Sequence, residues 1–331
     1  TYRKISIMKK RNLLYISLAF IHLACHSNKN ESKSYSIDIK TASSSLGLLG
    51  EGIISTPLYE RDLAISPQGD EIIYTLGDYK QTKRCLIVIK KQNEIWGEPK
   101  VLPISGVYQD IEPFYTNKGK RLYFASNRPI YGDSMRNDYN IWYTDREENT
   151  WSEPVPFDSI VNTKGDEFYP SLSKKGNLFF TASRENGVGR EDIFVSKFED
   201  GKFLSPEPLP SEINTPGYEF NAFISPTEDY IIFSSFGRDD GYGGGDLYVS
   251  IKDLEGNWGK AKNMGKSVNS DKLDYCPFVA EDSGIFYFSS ERRTMKDTKI
   301  ESIDDLKFMA NSSANGFGDI YKINLEELGL E

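Results

Sequence analysis

Histidine is close to missing: the 331-residue chain has two, His22 and His26, and none beyond them. Ser-His-Asp or Cys-His catalysis is therefore excluded downstream of residue 26, and so is zinc held by imidazole. Cysteine is nearly as rare, with three residues. Cys85 and Cys276 fall at unlike places in the repeat described below, a third strand and an innermost strand. That separation is too great for a disulfide, so both are expected as buried free thiols. Positive charge is also short. The formal net charge is −9 even though Arg3, Lys4, Lys9, Lys10 and Arg11 precede Cys25 without a single acid. The rest of the chain is thus more acidic still, which argues against nucleic acid and against electrostatic docking on anionic lipid.

What the chain has in plenty is alternation. From Gly217 to Gly265 it reads as four short runs of period-two character, each closed by turn residues, which describes a small antiparallel meander. The same layout occurs four more times. The turns SPQGDEIIY, TNKGKRLYF, SKKGNLFFT, SPTEDYIIF and AEDSGIFYF place Gly69, Gly119, Gly176, Glu228 and Ser283 in one register, at steps of 50, 57, 52 and 55 residues. A four-stranded unit at this period is the signature of a β-propeller, an all-β fold. Nine residues before each turn position stands an acid: Glu60, Asp110, Glu167, Glu219 and Asp274. The last unit has three strands, and Leu46–Gly50 has the character of a strand that supplies the fourth and closes the ring. The count gives five blades, with a degenerate sixth left open.

These runs, with Phe124–Arg128 (FASNR), GGGDLYV and GFGDIYKI, resemble the Pro-Asp repeat of TolB-like propellers, distant relatives of WD-repeat propellers. The resemblance covers about residues 54–326. It implies a protein-binding or scaffolding module without a cofactor, whose partner is another envelope protein or a peptidoglycan-associated lipoprotein. The first unit departs from the pattern. It has Leu76 where the others have Ser126, Ser183, Ser235 and Ser290, and Cys85 where they have Asn140, Asp192, Asp246 and Asp319.

The N-terminal segment reads as targeting. Lys9-Lys10-Arg11 precedes a mostly apolar stretch of 12 residues, Leu13–Ala24, too short to span a bilayer, and Ala24 precedes Cys25. This resembles a bacterial lipoprotein signal: residues 1–24 removed, Cys25 lipidated, and 1–7 upstream of the start at Met8. It implies an outer-membrane lipoprotein, on the periplasmic side or the cell surface, with the membrane reached through the lipid alone. Residues 25–45, polar and rich in Ser, Lys and Asn, have the composition of a flexible tether, and 46–331 form the propeller.

Three features are candidates for function. The five acids begin the innermost strands, near the mouth of a central channel. There they either hold a cation or a basic partner segment, or cap backbone N–H groups and pair with Arg128, Arg184, Arg238 and Arg292. Carboxylates also serve glycan binding or cleavage, the alternative to scaffolding, but a catalytic pair needs two acids in unlike environments rather than one per repeat. The Gly-rich loops GYGGGD, NGVGRED and NGFGD lead into no helix and lack the spacing of a calcium loop. They are turns, pinned by Asp192, Asp246 and Asp319, and no metal is expected. Finally, an insertion follows Arg292. Ser302 and Asp305 form a capping-box pattern that predicts a helix over Ile303–Ala310, with Ile303, Leu306, Phe308 and Met309 seeking cover against the blade or a partner. If the lipid anchor is real, Cys25→Ala moves the protein from the membrane to the soluble fraction, as fractionation and immunoblotting would show. Unchanged membrane association would refute the anchor.

Overall fold

A computed structural model describes residues 34–130, 132–133, 135–294 and 299–328. Residues 1–24, read above as a signal, and Cys25 lie outside them. The repeat folds as read: five antiparallel blades form one β-propeller. The inner three strands of each blade are 59–65, 71–77 and 84–92; 110–116, 121–126 and 140–147; 167–172, 178–182 and 192–196; 218–224, 230–236 and 246–251; and 274–280, 285–290 and 319–324. Short outer strands complete the first four blades at Lys100–Val101, Val155–Pro156, Glu207–Pro208 and Lys262–Asn263.

The fifth blade takes its outer strand from the N-terminal side. Gly47 and Leu48 pair antiparallel with Lys322 and Tyr321, and Leu49 N–H donates to the Ile320 carbonyl at 2.8 Å. The strand that precedes the first blade in the chain thus completes the last one, and the two blades are tied by it.

Alternation decides where the core sits. The middle strands are apolar on both faces because each blade is covered by a neighbour on either side. Ile73, Leu86 and Val88 of the first blade meet Tyr115, Leu122, Phe124 and Trp142 of the second. At the closing joint, Ile54, Ile72 and Tyr74 meet Ile285, Tyr287 and Ile320.

Two expectations need correction. Residues 34–45 are no tether. Ile37 and Ile39 are buried against the first blade, Tyr35 N–H donates to the Trp96 carbonyl at 3.0 Å, and Trp96 Nε1 donates to the Ile37 carbonyl at 2.8 Å. The period-two Tyr-Ser-Ile-Asp-Ile outweighs the polar composition around it. Cys276 is buried, as expected, but Cys85 is half-buried; both are free thiols.

The insertion helix forms at Ile303–Ala310 with Ser302 as N-cap and the full capping box to Asp305. Of its four apolar residues, Ile303, Leu306 and Phe308 are exposed and Met309 is half-buried.

Deleting residues 34–50 removes the buried side chains Ile37, Ile39 and Leu49. Each contributes about 1.5–3 kcal/mol of burial. The truncated protein is expected to melt roughly 10 °C or more below the full chain by circular dichroism. A truncated protein of equal Tm would mean the ring closes another way.

Candidate functional site

The five repeat acids are fully buried and do not line the channel. Each one instead ties down the linker that enters its blade. Thr56, Thr163, Thr215 and Ser270 give both backbone N–H and hydroxyl to Glu60, Glu167, Glu219 and Asp274, and the Ser105 hydroxyl donates to Asp110 at 2.8 Å. Four acids also carry an arginine. Arg128 reaches Asp110 at 2.6 Å, Arg184 Glu167 at 3.2 Å, Arg238 Glu219 at 3.1 Å and Arg292 Asp274 at 2.6 Å. Each guanidinium lies over two aromatic or indole rings of its own blade, such as Phe288 and Tyr321 for Arg292. These nine residues therefore form a fastening repeated around the ring.

A fourth donor distinguishes the blades. Asp110, Glu219 and Asp274 accept hydroxyl bonds from Ser126, Ser235 and Ser290, directly opposite them on the second strand. Glu60 faces Leu76 and Glu167 faces Ala182, so neither has that donor. The third blade's hairpin is one residue shorter, closing from Ser173 to Asn177 where the first closes from Ser66 to Glu71, which carries Ser183 out of register. Burial pushes both Glu60 and Glu167 up to about 7.

The axis is lined by a different ring, which the sequence reading missed. Each inner strand is bulged two residues after its acid, leaving Asp62, Glu112, Tyr169, Asn221 and Cys276 at φ of 59°, 61°, 51°, 49° and 54°. Left-handed backbone at a non-glycine residue costs about 1–2 kcal/mol. Here it is imposed from the preceding blade, whose hydroxyl accepts the bulged N–H: Ser289 from Asp62, Thr75 from Glu112 and Thr181 from Asn221. The only trace in the sequence is the unvarying acid-to-turn spacing, which holds the extra residue in every repeat.

The bulges bring these side chains together. Arg61 Nε lies 2.9 and 2.8 Å from the two oxygens of Asp62, and its Nη2 donates to Glu112 at 3.0 Å. Glu112 also accepts from Tyr169 N–H at 2.7 Å and Asn221 Nδ2 at 3.2 Å. Cys276 Sγ sits 3.7 Å from Asn221 Oδ1, and the Tyr169 hydroxyl donates to the Pro277 carbonyl at 3.0 Å. Burial first, and the Asp62 charge second, push Glu112 up to about 7. Below this hub, Leu63, Pro113, Phe114, Pro170, Phe223, Pro277 and Phe278 leave only about 10 Å³ of space. The channel is plugged.

Above the hub, half-buried Tyr59, Phe168, Phe220 and Leu273 pack around Tyr169, Tyr275 and Cys276. Tyr139 lies 5.1 Å from Phe168, with Arg84 over its ring at 5.3 Å; Phe317 stacks on Tyr59 at 6.3 Å, and exposed Tyr79 lies beside it. The Arg61 guanidinium covers the Tyr275 ring at 4.9 Å. All belong to the face carrying the loops between second and third strands. Those loops are pinned as read: Asp192 accepts from Val188 and Gly189, Asp246 from Tyr242, and Asp319 from Ala314. Leu306 and Phe308 are exposed on the insertion, apart from the acid fastenings. No cluster of three or more metal-ligating side chains occurs among the described residues.

No family model matches the chain, and neither does any curated protein. Among solved structures, the GH43 endo-arabinanase from Bacillus licheniformis is similar over 80% of this chain and 93% of its own, at 13% identity and a TM-score of 0.47. The α-L-arabinofuranosidase PaAbf62A from Podospora anserina is similar over 88% and 95%, at 10% identity and a TM-score of 0.43. A puromycin-hydrolysing peptidase from Mycobacterium tuberculosis is similar over 79% of this chain, at 11% identity and a TM-score of 0.40; the match spans only 42% of that enzyme. At this distance the likeness concerns the propeller fold.

The buried fastenings predict a stability phenotype. Arg292→Met strands the fully buried Asp274 and is expected to cost about 3–5 kcal/mol. Chemical denaturation would measure it; a loss below about 1 kcal/mol would mean the pair is not needed to hold the joint.

Proposed function

We propose that the protein is a carbohydrate-binding propeller whose site is the aromatic mouth above the axial hub. One observation carries this reading. The half-buried rings of Tyr59, Tyr139, Phe168 and Phe220 stand beside part-exposed polar groups that are already fixed, Arg61 on Asp62, Arg84 on Gln109 and Glu291 on Tyr59. Sugars present flat C–H faces bordered by hydroxyls. Rings give such a face its apolar contact, and a few oriented polar groups fix its position.

Binding is favoured over cleavage. Retaining and inverting hydrolysis both need carboxylates free to meet the glycosidic oxygen and the anomeric carbon or a water. Here the Asp62 and Glu112 side chains are 1% and 3% exposed, sealed by Arg61. The raised Glu112 is the one feature that favours a cleaving enzyme, since a general acid must hold its proton near neutral pH. The resemblance of residues 8–25 to a lipoprotein signal supports a site of action at the cell envelope. A protein-binding role is favoured instead by the insertion helix, whose Leu306 and Phe308 are 54% and 67% exposed.

Calorimetry against oligosaccharides of envelope and plant-wall type tests the proposal. Tyr139→Ala and Phe168→Ala are expected to weaken binding at least about tenfold, some 1.4 kcal/mol, with the melting profile preserved. Reducing-sugar release, absent from the wild type and from Glu112→Gln alike, separates binding from cleavage. Affinity unchanged in both aromatic variants would overturn the reading.

A further inference from the structure

One of the five fastenings is incomplete, and it is the one at the joint where the ring closes. Glu60 lacks the facing serine, because Leu76 stands there. It also lacks an arginine. Asp78 follows Leu76 at the spacing by which Arg128 follows Ser126 and Arg292 follows Ser290, and Asp78 is turned to its own loop, accepting from Thr82 and Lys83 N–H. Glu60 is nevertheless fully buried, with Thr56 as its hydrogen-bond donor.

Across the joint stands a second uncompensated carboxylate. Glu60 N–H donates to the Gly318 carbonyl at 2.7 Å, which brings the next residue, Asp319, alongside. Asp319 is also fully buried. It accepts Ala314 N–H on Oδ2 at 2.9 Å, while its Oδ1 has no hydrogen-bond partner. Among the described residues neither acid makes an ion pair. The groups facing them are the Tyr74 phenol from the first blade, the Tyr321 phenol from the fifth, and the Glu51 carboxylate from the closing segment. On the fifth blade, Arg292 is held by Asp274 at 2.6 Å, and Arg293 lies against Asn315 and Gly316 in the loop that pins Asp319. The fourth and fifth blades supply the comparison: there Asp246 approaches Asp274 in the same way, but Arg292 neutralises Asp274.

A buried carboxylate without a cation resists ionising, and a second one across the same joint makes the double charge costlier still. We propose that one of the pair Glu60 and Asp319 keeps its proton in the folded ring, and that this proton is the latch of the joint between first and last blades. Ring closure is thereby sensitive to pH, and this joint is the one of the five whose acid lacks an arginine. The titration agrees. Burial raises Glu60 from 4.5 to about 7, and burial followed by the Glu60 charge raises Asp319 from 3.8 to about 7. A carboxyl group raised on folding contributes stability in full below its unfolded value and loses it as pH rises through the folded one. The latch is thus closed below about pH 4 and released above about pH 7.

Thermal melts of wild type, Glu60→Gln and Asp319→Asn between pH 5 and 8.5 test this, since each variant removes one of the two charges at every pH. The curves should lie within about 1 °C at pH 5. At pH 8.5 each variant should melt about 2–4 °C above the wild type. Hydrogen exchange at pH 8.5 should show the added protection on Gly47–Leu48 and Asp319–Asn324. A difference between variant and wild type that does not change with pH overturns the proposal, as does added protection confined to other blades. Should Glu60→Gln fail to fold, Asp319→Asn gives the same reading from the other side of the joint.

Discussion

A propeller blade can tilt or slide against its neighbour unless something fixes the short linker between them. In this chain that constraint is a buried carboxylate at the start of each inner strand, which takes the N–H and hydroxyl of the linker residue four positions upstream in four of the five blades. An exposed ion pair would contribute little here, because solvent screens it and side-chain entropy opposes it. Burial changes the terms. The charge must be met by several donors at once: at Glu219 and Asp274 the linker supplies two, the second strand one and an arginine one. Satisfying the carboxylate and positioning the blade become the same event.

The axial bulges follow from that fixation. With the acid held, the inner strand has one residue too many for its partner, and the surplus residue turns inward at positive φ. Five blades doing so in register bring Asp62, Glu112, Tyr169, Asn221 and Cys276 to one axis from positions 50 or more residues apart. Strained backbone of this kind persists where surrounding structure over-determines it. The hydroxyls of Ser289, Thr75 and Thr181 do so from the neighbouring blade.

Much of this was legible in advance. Turn spacing revealed the blades, and the spare strand at Leu46–Gly50 revealed how the ring is closed. The pairing of acids with arginines was open to two readings, and burial decided between them. The axial residues were not legible, because Asp, Glu, Tyr, Asn and Cys share no chemistry that a repeat alignment would pick out. What unites them is a backbone conformation. Residues 34–45 were misjudged for a related reason: composition averaged over the segment hides three alternating apolar side chains, Tyr35, Ile37 and Ile39, which suffice to dock it. The one-residue shortening of the third hairpin was also invisible, since SKKGN and SPQGD look alike until their hydrogen bonds are counted.

The docked segment has a mechanical consequence. Tension applied where the chain leaves Ser34 does not reach the closing strand directly. It falls first on the Tyr35–Trp96 bridge and on the Ile37 and Ile39 side chains seated in the first blade. Lys322 adds a further tie by donating to the Asp38 and Thr41 carbonyls. Gly47 and Leu48, whose two-residue pairing would peel apart one bond at a time, are shielded behind that anchorage. A pull on the N-terminal side is borne by the body of the propeller, and its weakest strand carries none of the load until the anchorage gives way.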